Sequence, residues 1–213
     1  DTQISLLQGL AFALFYTIAG IPIGRWIDRA PRMRVVAIGI TLWSGMTAIC
    51  ATVTNFSQFF LARMGVGVGE AVLSPAAYSI ISDSFPKNRL GLAMGVYGLG
   101  SAIGAGMAFM IGAVVIAAVA NAETVTVPLL GVIKGWQVAF LVAGLPGLLI
   151  AIIFLMLPEP VRRITKGEEH LTGQVPMSAV THYLKDNCVF FWSIFLAVGM
   201  INLSVLGSIS WLP

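Results

Sequence analysis

The sequence predicts an all-α, polytopic membrane protein with six transmembrane helices and both chain ends outside the cell. Three observations lead there. Of 213 residues, 58% are apolar and only 10% are charged, against about 25% charged in soluble domains. The apolar residues fall in runs of twenty or more, the length that about 30 Å of hydrocarbon demands of a helix rising about 1.5 Å per residue. These runs do not alternate, which excludes the roughly ten-residue strands of a membrane barrel. Such a chain cannot cover a soluble globule with polar side chains. A cytoplasmic enzyme, a secreted disulfide scaffold and a disordered tail are therefore excluded. Cys50 and Cys188 form no spacing pattern.

The spans follow in order. The first, about 4–24, carries no charge, and neither does the second, about 35–54. The third, about 57–82, contains Arg63 and Glu70. The fourth, about 91–117, belongs to an uncharged run longer than one crossing needs, and the fifth occupies about 136–157. Residues 159–186 are the longest polar stretch and read as a cytoplasmic linker between two membrane units, 1–158 and 187–213, the second holding the sixth span. Ten of the twelve Lys and Arg residues fall in alternate loops, at Arg25–Arg34, Lys87–Arg89 and Arg162–Lys185. Basic loops stay in the cytoplasm, so these mark one face. The first residue is Asp1 and the last is Pro213, at the end of an apolar run. The expectation is an internal piece of a longer, multi-pass protein of the plasma or inner membrane.

Charges within a span cost about 2.5–3.5 kcal/mol on insertion scales and usually mark function. Arg63 and Glu70 are seven residues apart, about 10.5 Å along a helix and about 20° short of two full turns, so they share a face. Counted from Phe56, Glu70 lies about 21 Å deep, near the midplane. The residues alone leave two readings open. Glu70 carries a proton or substrate with Arg63 as its charge partner or anion anchor, or the two form a structural pair that locks helices together.

Gly65, Gly67 and Gly69 directly precede Glu70, without the strand and spacing of a nucleotide loop. Small residues four apart, at Gly20/Gly24, Gly65/Gly69, Gly91/Gly95 and Gly100/Gly104, predict close helix packing. In the first basic loop, Asp28 stands among Arg25, Arg29, Arg32 and Arg34. An acid there predicts an ion-pair cluster at the helix ends, joined by Asp83 and Arg89, acting as a conformational latch or as a static network. The Asn55-Phe-Ser57 sequon lies in a loop too short to be glycosylated. His170 and His182 fall in the linker and read as solvated. No nucleophile set, metal spacing or carboxylate pair is present. No enzymatic activity, cofactor, metal or nucleic-acid partner is expected.

Gly24, Asp28, Arg29 and Arg32 fall on the loop signature Gly-x-x-x-Asp-Arg-x-Gly-Arg-Arg of the major facilitator superfamily, which the segment resembles. Pro31 stands in place of its glycine and Met33 in place of its second basic residue. Arg63-x-x-x-Gly67 resembles that superfamily's helix-four signature. The glycines of 98–106 are similar to its helix-five antiporter motif but lack the proline. Ala62–Ala71, Ile81–Pro86 and Pro158-Glu-Pro-Val-Arg162 resemble the spinster branch, relatives of sphingolipid and lysolipid transporters. The resemblance covers essentially the whole chain. It implies a partial major facilitator fold, helices two to seven of twelve, in a monomer working by alternating access. It also implies proton coupling at Glu70, together with an acid on a preceding helix one.

The expected function is a secondary active transporter, driven by protons, that moves an amphipathic or anionic organic solute such as a lysolipid. Within the same class, a small organic-anion symporter or a multidrug exporter is the alternative. A non-transporting membrane receptor or scaffold is the alternative of another class, opposed by charges at the midplane.

Overall fold

The computed structural model describes residues 11–119, 124–127, 131–162 and 176–211. Residues 2–10 of the first expected run, and His170, lie outside the described residues. Helix α1 (Ala11–Arg29) continues five residues past the expected end of the first span at Gly24. It stops because Pro31 disfavours helical backbone at Ala30. Pro31 then sits at the N-cap of α2 (Arg32–Ile49), which has no side-chain cap of its own. The basic loop is thus a two-residue corner, with its arginines on the ends of two helices.

Helix α3 (Phe56–Glu70) starts at a built cap. Asn55 Oδ1 accepts the Gln58 N–H at 2.9 Å, and Gln58 Oε1 accepts the Thr54 N–H at 3.0 Å. The asparagine of the sequon is therefore occupied as a helix cap. The third span breaks after Glu70 and resumes as α4 (Leu73–Ser84). Pro75 has no N–H to give the Ala71 carbonyl, and the Val72 N–H turns instead to Gly69 O at 3.3 Å.

Helix α5 (Leu90–Val119) buries none of its residues. A short hairpin follows where the sequence predicts only a loop. β1 (Thr124–Val127) pairs antiparallel with β2 (Gly131–Lys134), Thr124 opposite Lys134 and Val127 opposite Gly131, and Gly131 adopts φ +75°. Helix α6 (Gly135–Met156) begins where Gln137 Oε1 accepts the Lys134 N–H at 2.7 Å.

Phe56–Ser84, Leu90–Val119 and Gly135–Met156 are each long and apolar enough to cross a membrane. Helices α1 and α2 overlap the first two expected spans, α2 ending five residues short at Ile49, and carry arginines at their facing ends; over the described residues neither is among the helices long and apolar enough on their own to cross. Among the described residues the regular structure is all helix apart from the hairpin.

Contacts divide the chain into two units, Asp1–Arg162 and Arg163–Pro213. In the second, α7 (Met177–Asp186) meets α8 (Cys188–Trp211) at a bend of 82°. Tyr183 and Phe191 stack edge to face across that bend, 6.0 Å apart, and His182 pairs with Asp186 at 2.7 Å.

The core of the first unit gathers toward its basic end. Ile27 of α1, Val35, Val36 and Ile40 of α2, Val72, Ala76 of α4 and Ala151 of α6 are all buried there, with Trp43 and Phe154 against them. Backbones approach closely where α2 meets α6. A Cβ at Gly144 would come within 2.8 Å of both Ala48 N and Ser44 O.

Candidate functional site

Arg63 and Glu70 lie on one unbroken helix, α3, and share a face as their spacing predicts. The face between them is set against α1. The Arg63 guanidinium stands 5.7 Å from the centre of the Phe12 ring, and Phe12 stacks on Tyr16. Gly67, between the two charges, lets the α1 backbone in, since a Cβ there would meet Phe12 O at 2.7 Å. A cation over an aromatic face is held by about 0.5–2 kcal/mol, which fixes Arg63 without neutralising it. Arg63 is half-buried, Glu70 is exposed, and the two make no direct ion pair. Glu70 is the last residue before a local tightening at Ala71 and Val72, where the backbone stays right-handed helical but the Val72 N–H bonds Gly69 O instead of the carbonyl four residues back.

The other glycines of the run face a different helix. A Cβ on Gly69 would lie 2.7 Å from Trp43 N, and one on Gly65 would lie 2.6 Å from Met46 Cγ, both on α2. The 65/69 pair packs α3 on α2, as expected. The packing expected at Gly20/Gly24, Gly91/Gly95 and Gly100/Gly104 does not form among the described residues, because a Cβ at any of them would meet nothing within 4 Å. At Gly100 and Gly104 the reason is that α5 buries none of its residues and both glycines lie on its exposed stretch.

The ion-pair cluster forms at the basic end between Arg32 and Asp83, both expected members, with Glu159 in the place expected for Asp28. Arg32 is 1% exposed. Its guanidinium donates to Asp83 Oδ2, to Ser79 Oγ at 2.9 Å and to Pro160 O at 2.9 Å, and its Nε donates to Glu159 Oε1 at 3.1 Å. Glu159 also accepts the backbone N–H groups of Arg32 and Met33, at 3.0 and 2.9 Å. It thereby caps the N-terminus of α2 from 126 residues away. Burial works against its charge, but the Met33 and Arg32 amides and the Arg32 guanidinium outweigh that and hold its carboxyl below the ordinary range. Arg162 mirrors it on the neighbouring helix, donating to the carbonyls of Ile27, Asp28 and Ala30 at the C-terminus of α1. An acid thus meets the positive end of one helix dipole and a base the negative end of the next.

Asp28 is outside this cluster. Its carboxylate is exposed and in no ion pair among the described residues. Because α1 stays helical through Arg29, Ile27 turns inward while Asp28 and Arg29 remain exposed. Arg32, beyond the Pro31 corner, takes the buried place. Glu159 and Arg162 were readable only as part of a family-like phrase, since their partners lie more than 120 residues away. Arg89 lines a separate cavity of about 390 Å³ with Phe85, Leu92 and Tyr97. Among the described residues no group of His, Cys, Asp and Glu is placed to hold a metal.

Apolar helices with two charges inside one span, closed at the basic end by a buried arginine, define a polytopic helical-bundle membrane protein rather than a soluble catalyst. The chain belongs to the Major Facilitator Superfamily, which it matches over residues 1–213. That superfamily consists of transporters, not enzymes, and within it the chain is spinster-like. It is similar over 99% of its length, at 28% identity and a TM-score of 0.70, to the crystal structure of a bacterial homologue of the human lysosomal transporter Spinster, inward-facing and unoccupied. It is 31% identical over 159 residues, 73% of the chain, to a probable L-galactonate transporter of Escherichia coli. It is 29% identical over 116 residues, 54% of the chain, to the sphingosine-1-phosphate transporter SPNS2 of Danio rerio. The chain spans 47%, 31% and 23% of the lengths of these three proteins.

Proposed function

We propose that the full-length protein is a proton-coupled secondary transporter that carries an organic anion, amphipathic in the manner of a lysolipid, by alternating access. The observation that carries this reading is the shared face of Arg63 and Glu70 within the apolar span Phe56–Ser84, beside the tightened turn at Ala71–Val72. Arg63 anchors the anionic group, its charge left available by a cation–π contact instead of a carboxylate. Glu70 carries the proton. The protonation of a carboxyl responds to water access and to a neighbouring cation, and both change when two bundles rock about a midplane site. Residues 1–158 supply most of one bundle, 159–186 a linker and 187–213 the first helix of the other. Both a sugar-acid transporter and a lysolipid-phosphate transporter are among its relatives, and their named cargoes share an anionic group. The Arg32–Asp83–Glu159 network is the cytoplasmic latch of this cycle.

Proton-driven uptake by the full-length protein in vesicles tests the assignment. Glu70→Gln is expected to abolish accumulation against a gradient while leaving exchange or binding, and Arg63→Ala to weaken binding. Accumulation by Glu70→Gln at the wild-type level would make the pair structural.

A further inference from the structure

At the basic end of the first unit, outside the Arg63–Glu70 face, lies a cavity of about 460 Å³. Its polar wall is formed by Arg29 of α1, Arg34 of α2 and Arg162. Its apolar wall is formed by Phe154, Leu155 and Leu157 at the end of α6. We propose that this cavity is a binding site for an anionic glycerophospholipid of the cytoplasmic leaflet, the phosphate held by the arginines and the acyl chains lying along α2 and α6. The proposal does not depend on the transport reading.

The charges support it. Arg29 and Arg34 are exposed and form no ion pair among the described residues. Arg162 is held in place by the three carbonyls that end α1. Glu159 also borders the cavity and is ionised, but its oxygens face Arg32 and Met33, and the three arginines of the lining outweigh its single negative charge. Arginine forks bind phosphate oxygens in pairs, and basic pockets between helices on the cytoplasmic side suit lipid headgroups.

The apolar side supplies what a free phosphate would not use. Leu155 is 59% exposed at the cavity wall, and Ile38, one turn beyond Arg34 on the same face of α2, is 50% exposed. Ile152 and Leu149 of α6 continue the exposed apolar track away from the arginines. Charge at one end and hydrocarbon leading from it is the form of a phospholipid lying at the membrane boundary.

The test uses the full-length protein, purified in detergent and titrated with short-chain phosphatidylglycerol, phosphatidylcholine and inorganic phosphate, with binding read by native mass spectrometry. Phosphatidylglycerol is expected to bind saturably and phosphatidylcholine not. Each arginine near a lipid phosphate is worth about fivefold in binding, so Arg29→Gln with Arg34→Gln is expected to weaken phosphatidylglycerol roughly 25-fold. Arg25→Gln with Lys87→Gln removes two charges from the same end outside the cavity and is expected to leave the affinity unchanged. An equal loss in both pairs would reduce the site to the general positive surface and overturn the proposal. Leu155→Gln is expected to weaken phosphatidylglycerol as well. If inorganic phosphate displaces the lipid at equal concentration and Leu155→Gln has no effect, the site takes free phosphate and the lipid assignment falls.

Discussion

Glu159 carries a prediction that can be worked from geometry. Among the described residues it supplies the side-chain cap at the N-terminus of α2 and, with Asp83, a carboxylate on the buried Arg32. Replacing it with Gln keeps an acceptor oxygen but deletes the charge. The lost interaction with the helix dipole is worth about 0.3–1 kcal/mol. The weakened hydrogen bonds to Arg32 add about 1 kcal/mol, discounted because the Glu159 side chain is 33% exposed and Asp83 remains. Glu159→Gln is therefore expected to cost about 1–2 kcal/mol. Glu159→Ala, which also removes the cap, is expected to cost about 1 kcal/mol more. At about 2–4 °C per kcal/mol for a unit of this size, the Gln variant melts roughly 2–8 °C lower. Thermal unfolding of the full-length protein in detergent measures this, with alkylation of the buried Cys50, quantified on its own peptide, reporting the opening of the first unit. The pH dependence has a definite sign. A carboxyl held below its ordinary value contributes stability that is present above that value and lost as pH falls through the lowered one. The gap between wild type and Glu159→Gln should be constant at neutral pH and close only below about pH 4. Equal melting temperatures at pH 7, or a gap that persists undiminished in acid, would refute the capping argument.

Other outcomes follow from the same contacts. Arg32→Lys keeps the charge but loses the fork that reaches Asp83, Ser79, Glu159 and Pro160, and is expected to destabilise the unit by about 3 kcal/mol or more in the same melting assay. Gly69→Ala forces a methyl to 2.7 Å from Trp43 N and should cost about 1–3 kcal/mol. Gly100→Ala, with open space around it, should be neutral or stabilise the helix by up to about 1 kcal/mol. Asp28→Asn should change stability by less than about 0.5 kcal/mol, whereas Asp83→Asn, which weakens the hold on a buried arginine, should lower it measurably.

Local and periodic features were the ones legible in the sequence. Apolar run length located the spans, and the seven-residue interval placed Arg63 and Glu70 on one face. The Gly65/Gly69 spacing marked a close helix contact because its partner is a neighbouring span. The break at Ala71–Val72 had a signal in Pro75, but a proline three residues into a helix resumption looks the same as one tolerated inside a span. The hairpin was hidden because Thr124–Val127 and Gly131–Lys134 are four-residue strands, too short for alternation to stand out. The amphipathic α7 was likewise lost within a polar linker. Asp28 drew attention by adjacency to arginines, whereas burial decides which acid is used. Glu159 and Arg162 reach across more than 120 residues, and no local pattern encodes that distance.

The paired caps have a consequence for how the protein is made. The α1–α2 corner leaves the ribosome as a hairpin whose facing ends lack both cap residues, and Glu159 and Arg162 follow only after α6 has been synthesised. At about 5–20 residues per second, the intervening residues, about 130 of them, take roughly 6–26 s to translate. Through that interval the Arg32 guanidinium and the amides at the head of α2 must rest in the aqueous or headgroup layer, which favours keeping this corner on the cytoplasmic side during insertion. Completion of α6 then buries the arginine and closes the unit, so assembly of the bundle is timed by a segment that spans no membrane itself.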